Sequence, residues 1–138
     1  MAKKYGYGKE ADVRRRVKKV ALAGVALDSI AFTWQNPEDK EIIIDRVILD
    51  ITTAGDATSV MDVGIVADAT ATANNLLQGV PISAIAVKDN INDGGTNGKA
   101  KGKMDKAGGS NDYITGKVLT AGAPNLAGYV YIFYLTLD

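Results

Sequence analysis

From Ser29 to Gln35 the side chains alternate, with Ile30, Phe32 and Trp34 on one face and Ser29, Ala31, Thr33 and Gln35 on the other. A period of two is the mark of a half-buried β-strand. Asn36-Pro37-Glu38-Asp39-Lys40 follows as turn chemistry, because proline fixes its own φ and holds the residue before it extended. Glu41–Thr53 is the stretch richest in β-branched residues (Ile42, Ile43, Ile44, Val47, Ile48, Ile51), which fit a pleated surface better than a helix and predict a long central strand. Gly55-Asp56 breaks it. Val60–Ala67 alternates again, Met61, Val63 and Ile65 against Asp62 and Gly64, making a hairpin-like pair with the strand before it.

The second half is less regular. Asp68–Asn75 is small and polar, a surface connection anchored by Leu76 and Leu77. Val80–Val87 reads as one short strand, with Pro81 near its start suiting a sheet edge. Asp89–Gly109 carries six glycines and four lysines with scarcely an apolar residue, and is expected to be a long mobile loop that serves binding. Tyr113–Thr120 resumes strand character. After a turn at Gly122-Ala123-Pro124-Asn125 comes Gly128–Leu137, apolar on both faces: Tyr129, Tyr131 and Phe133 oppose Val130, Ile132 and Tyr134. Such a strand is central between layers or lies against another subunit. About eight antiparallel strands with regular turn signals predict an all-β fold, a β-sandwich of jelly-roll type.

The N-terminus departs from this pattern. Tyr5-Gly6-Tyr7-Gly8 is costly to order without a partner, so residues 1–16 read as a mobile arm. Val13, Val17 and Val20 have helical spacing, and Glu10 stands four before Arg14 as a supporting pair; the same stretch equally leads into an extended segment from Lys19 to Leu27. The expected organisation is a basic arm over 1–20 and a β-sandwich domain over 21–138.

Charge sharpens the division. The net charge of the 138 residues is zero, yet residues 1–19 hold eight Lys/Arg against two Asp/Glu, a net +6, and the other 119 residues hold eight against fourteen, a net −6. The sequence has no cysteine and no histidine, which removes disulfides, thiolate nucleophiles, imidazole bases and nearly all zinc, copper and haem ligation. The basic start has no apolar h-region behind it, and no apolar run approaches bilayer length, so a soluble cytosolic product without membrane contact is expected.

Three motifs invite chemistry. Gly94-Gly95-Thr96-Asn97-Gly98-Lys99 resembles a phosphate-binding loop, but only three residues separate Gly94 from Gly98, Ala100 stands where Ser or Thr is required, and no helix pattern follows. Asp89-Asn90-Ile91-Asn92-Asp93-Gly94 opens like a calcium loop, yet Ile91 occupies a ligand position and Ala100 the closing glutamate's place; turn residues satisfying their own backbone explain it better. Asp45, Asp50 and Asp62 lie inside strands, where alternation puts Asp45 and Asp50 on opposite faces and Arg46 suggests surface pairing. No nucleophile and base are paired, so no enzyme, cofactor or metal is expected.

The expected partner-binding residues are therefore Lys3, Lys4, Tyr5, Tyr7, Lys9, Arg14, Arg15, Arg16, Lys18 and Lys19 in the arm and Asn97, Lys99, Lys101 and Lys103 in the loop. Clustered cations can dock on an acidic neighbour, stay solvated or neutralise nucleic acid. The acidic body repels a polyanion, which favours a protein partner. Trp34, Tyr129 and Tyr131 leave a sugar-binding platform as an alternative, although aromatics at strand spacing are more often core.

The runs Asp50–Ala54, Asp62–Thr70, Asn75–Gly79, Asp89–Ile91, Gly95–Lys99, Tyr113–Gly116 and Leu126–Ile132 together resemble small head proteins of tailed phages. The resemblance spans roughly residues 41–138 and leaves the basic arm outside. It implies a capsid decoration or auxiliary protein that binds and stabilises the major capsid protein lattice, commonly as a trimer. Its expected location is the virion capsid surface, after synthesis in the host cytoplasm. Nothing in the resemblance carries over a catalytic or contact residue. The alternatives are a host-surface glycan-binding module and a nucleic-acid-binding structural protein acting through the arm.

Overall fold

Apolar side chains recurring at alternate positions need a second apolar surface to cover them, and here two sheets supply it to each other. The computed structural model describes residues 13–137. Among them are nine strands: β1 (Val13–Ala21), β2 (Ile30–Gln35), β3 (Ile42–Thr53), β4 (Val60–Val66), β5 (Leu77–Pro81), β6 (Ala86–Asp89), β7 (Gly102–Met104), β8 (Tyr113–Leu119) and β9 (Ala127–Leu137). One sheet has the order β1-β9-β3-β6, with β7 also paired to β3; the other has the order β2-β8-β4-β5. Every pairing is antiparallel. The chain is an all-β sandwich, as the alternation predicts.

The core lies between the sheets. Ile42, Ile44, Val47, Leu49 and Ile51 of β3 and Val130 and Ile132 of β9 meet Phe32 and Trp34 of β2, Met61 and Val63 of β4, and Ile114 and Val118 of β8, all buried. Leu76 and Leu77 are fully buried, the anchors expected of them. Strand β9 runs between β1 and β3, which accounts for its two apolar faces: one packs in the core, and the other forms the middle of the sheet's outer surface.

Five expectations change. The hairpin-like pair expected of Glu41–Thr53 and Val60–Ala67 does not form, because β3 and β4 belong to different sheets and face each other across the core. Val13–Val20 is a strand and not a helix: β1 pairs with β9 from Val13↔Leu137 to Ala21↔Tyr129, so the boundary drawn at residue 20 falls inside this strand. An available neighbour with a full ladder outweighs the helical spacing of three valines. The strand expected over Val80–Val87 is two strands in different sheets, because the β5 ladder ends at Pro81 and the chain crosses to begin β6 at Ala86. Pro81 does lie on an edge strand. The stretch 89–109 is not a bare loop, since β7 pairs with Ile42–Ile44 and buries Met104. Finally, a bulge at Asp45, between the pairs Ile44↔Tyr134 and Arg46↔Phe133, breaks the parity that would set Asp45 opposite Asp50.

Candidate interaction surface

The two sheets treat their outer faces differently. On the four-stranded sheet, the outward pair Gly64↔Thr115 is buried under residues 68–75, the Ala-Thr connection between β4 and β5. Thr115 Oγ1 donates to the Ala71 carbonyl at 2.7 Å, and a Cβ on Gly64 would lie 2.6 Å from the Ala73 carbonyl carbon. Glycine is what lets that segment lie flat on the sheet. Asp68 holds the start of the connection by accepting from the N–H groups of Thr70 and Ala71 and the Thr70 hydroxyl, bonds that keep its carboxyl below the ordinary value.

No such segment covers the five-stranded sheet among the described residues. Its outer rows follow from the register: Arg15, Leu135, Ile43 and Lys103; then Val17, Phe133 and Arg46; then Lys19, Tyr131, Ile48 and Asp89; then Ala21, Tyr129, Asp50 and Val87. Val17 is 56% exposed, Ile43 45%, Val87 67% and Tyr129 37%, values high for side chains of this kind sharing one face. Arg15 lies over the Phe133 ring at 4.7 Å and its Nε donates to Asp45 at 2.9 Å, while Lys19 Nζ sits 3.9 Å above the Tyr129 ring. Tyr129 and Tyr131 are tilted 48° to each other. Cations on the ring faces strengthen the local packing and occupy the surfaces on which a sugar would stack.

Of the expected partner-binding residues, Lys3, Lys4, Tyr5, Tyr7 and Lys9 lie outside the described residues. Arg14, Arg15, Arg16, Lys18 and Lys19 all belong to edge strand β1 and all are exposed. They divide by parity. Arg15 and Lys19 flank the outer aromatic face, whereas Arg14, Arg16 and Lys18 share the side of Val20; there Arg16 stands 3.9 Å from Glu38, which also accepts from the Tyr134 hydroxyl.

The loop residues form a second group. Buried Asn90 fills the gap between β6 and β7 along β3: its Oδ1 accepts from Val47 N–H at 2.8 Å, its own N–H donates to the Val47 carbonyl, and its Nδ2 donates to the carbonyls of Lys99 and Ala100. Asn75 does the same for β4, accepting from Ile65 N–H and donating to its carbonyl, while its main-chain carbonyl receives Lys99 N–H. With the backbone so fixed, Lys99, Lys101 and Lys103 line one open cleft of about 310 Å³, with Asn75 and Asn111 as polar walls and Ile65 and Gly102 as its apolar part. Asn97 is not among its lining residues; its N–H donates to Gln78 Oε1.

The calcium-loop-like and glycine-rich motifs over residues 89–99 are built from turns. Asp89 accepts from Ile91 and Asn92 N–H and from the Asn92 carboxamide; partial burial opposes ionisation, but those bonds hold its carboxyl below the ordinary range. Asp93 accepts from Asp89 N–H. Gly98 N–H closes a turn onto the Gly94 carbonyl. Among the described residues, no three Asp or Glu side chains are grouped so as to hold a metal ion. Composition alone does not mark Ile43 and Val87 as surface residues, because only strand pairing decides which side of a β-branched run is left uncovered.

No family model and no curated protein matches the chain. A solved structure described as the cyanophage Pam1 capsid asymmetric unit is similar in fold, with a TM-score of 0.53 and 16% identity, over 99% of this chain and 91% of that one. At that identity the likeness is one of fold.

Proposed function

We propose that this chain is a structural protein of a phage capsid, a decoration or auxiliary head protein that binds and stabilises the major capsid lattice from its surface, as a trimer. The observation that carries the reading is the unequal treatment of the two sheets: the chain lays its own connection over the middle of one outer face and, among the described residues, leaves apolar side chains exposed on the other. An uncovered apolar face flanked by charge is what an assembly surface needs, since burial supplies affinity and the flanking charges select the partner. The fold shared with a protein of the cyanophage Pam1 capsid asymmetric unit supports the same reading. So does the strand order, which reads as a jelly roll of two four-stranded sheets once β7 is set aside as an insertion. The fourteen named lysine, arginine, tyrosine and asparagine residues are proposed contacts, with Arg15 and Lys19 flanking the apolar face along edge strand β1.

The test pairs Val17→Asp with Val87→Asp. Both side chains are exposed, so the variants should fold with unchanged circular dichroism and remain soluble. Added to capsids of the encoding phage that lack the protein, they should sediment with the shells at least about tenfold more weakly than the unaltered chain, a loss of roughly 1.4 kcal/mol or more. Unaltered co-sedimentation would contradict the assignment of this face, and a monomer in light scattering at micromolar concentration would contradict the trimer.

A further inference from the structure

The cleft beside β7 is built and charged in a way that general stability does not require. Three lysines at alternate positions, Lys99, Lys101 and Lys103, converge on it, and no carboxylate is among its lining residues. Like charges drawn to one cleft repel, and such an arrangement is favourable once anions occupy it. Lys103 has a partial counter-ion in Glu41 at 3.3 Å, on an exposed pair worth little, while Lys99 and Lys101 have no ion pair among the described residues. The backbone beneath them is held from two sides, by Asn90 on the Lys99 and Ala100 carbonyls and by the Asn75 carbonyl on Lys99 N–H. Gly102 lets Ile65 pack close beneath the cleft, since a Cβ there would lie 2.6 Å from Ile65 Cδ1 and would push that methyl aside. The cations are thus presented from a fixed platform.

We propose that this cleft binds clustered carboxylates, the Asp and Glu side chains of an acidic segment on a partner protein. The chain bends at Ala100 before entering β7, so the three lysines bring separate ammonium point charges to the cleft from different directions, a match for several carboxylates more than for one phosphate group. The surroundings select against a phosphodiester chain: Glu41 stands at the Lys103 ammonium, Asp105 accepts from Asn111 N–H, and residues 20–138 carry a net −6. A short acidic segment meets only the cleft, whereas a long polyanion meets the acidic body as well. Lys103 pairs with Ile43, which puts the cleft at the margin of the uncovered apolar face, where a partner seated on that face can reach it. The inference rests on the assembly reading in that the carboxylates belong to a docked protein.

The experiment is an amide NMR titration of the full chain with a hexaglutamate peptide and, separately, with inorganic pyrophosphate. The expected result is saturable shifts at residues 99–103 and at Asn111 with the peptide, weakening as salt is raised, and a response to pyrophosphate at least about tenfold weaker. Lys99→Glu with Lys101→Glu should abolish the peptide shifts while leaving signal dispersion intact, and Lys106→Glu on the neighbouring loop should leave them unchanged. Pyrophosphate binding as tightly as the peptide, or peptide shifts confined to β1, overturns the proposal. Capsid co-sedimentation separates the two readings: peptide binding by a chain that ignores capsids refutes the assembly role and leaves the cleft's chemistry standing, and capsid binding undiminished in the double variant refutes the cleft's part in docking.

Discussion

Asn90 illustrates how much one polar side chain can hold in this fold. It is 2% exposed, lies in a segment otherwise composed for solvent, and satisfies Val47 N–H on one side and two loop carbonyls on the other. Truncating it leaves the Val47 N–H buried and unpaired and releases two half-buried loop carbonyls, so Asn90→Ala should cost roughly 1–3 kcal/mol, read as a lower urea midpoint with an unchanged slope. Asp112 gives the pH counterpart. It accepts from the Gln35 carboxamide at 2.7 Å and from Gly108 N–H, bonds that favour the ionised form and hold its carboxyl below its ordinary value of 3.8. The unfolded chain therefore takes up this proton at higher pH than the folded one. The contribution is complete above the unfolded value and lost as pH falls through the lower folded one. Asp112→Asn should flatten the dependence of stability on pH below about 4, measured by thermal melts across an acid series.

At the scale of elements, the strands with strong alternation or dense branching were legible in sequence: β2, β3, β4 and β9 form where the pattern puts them. Strand β1 was not, because Arg14-Arg15-Arg16-Val17-Lys18-Lys19 carries no two-residue hydrophobic period and takes its conformation from the ladder that β9 offers. Strand β7 is three residues in a glycine- and lysine-rich stretch, with only Met104 to betray it. The bulge at Asp45 has no composition signal at all, and it put a predicted opposite-face carboxylate within reach of Arg15. Cations on an exposed edge also discourage pairing with other chains. Replacing Arg16 and Lys18 with valine should therefore promote edge-to-edge association, seen as a concentration-dependent rise in scattering; a unaltered mass distribution would mean that these charges do not guard the edge.

For the molecule as a whole, the sequence indicated a sandwich and the location of its basic residues, but not how those residues are grouped. Splitting the cations of β1 by parity, and gathering Lys99, Lys101 and Lys103 around one cleft, depend on register and on the hydrogen bonds of Asn75 and Asn90, which no local pattern encodes. The asymmetry between the two outer faces is likewise a product of tertiary folding, since the Ala-Thr connection had to be seen lying over Gly64 and Thr115 before the other face could be recognised as uncovered. Hydroxyl-radical footprinting of the chain, free and bound to capsids, tests that asymmetry directly. Val17, Ile43, Val87 and Tyr129 should lose reactivity on binding while Ala71–Ala73 keeps it; protection of the Ala-Thr connection, with those four side chains labelled as strongly as before, would contradict the account.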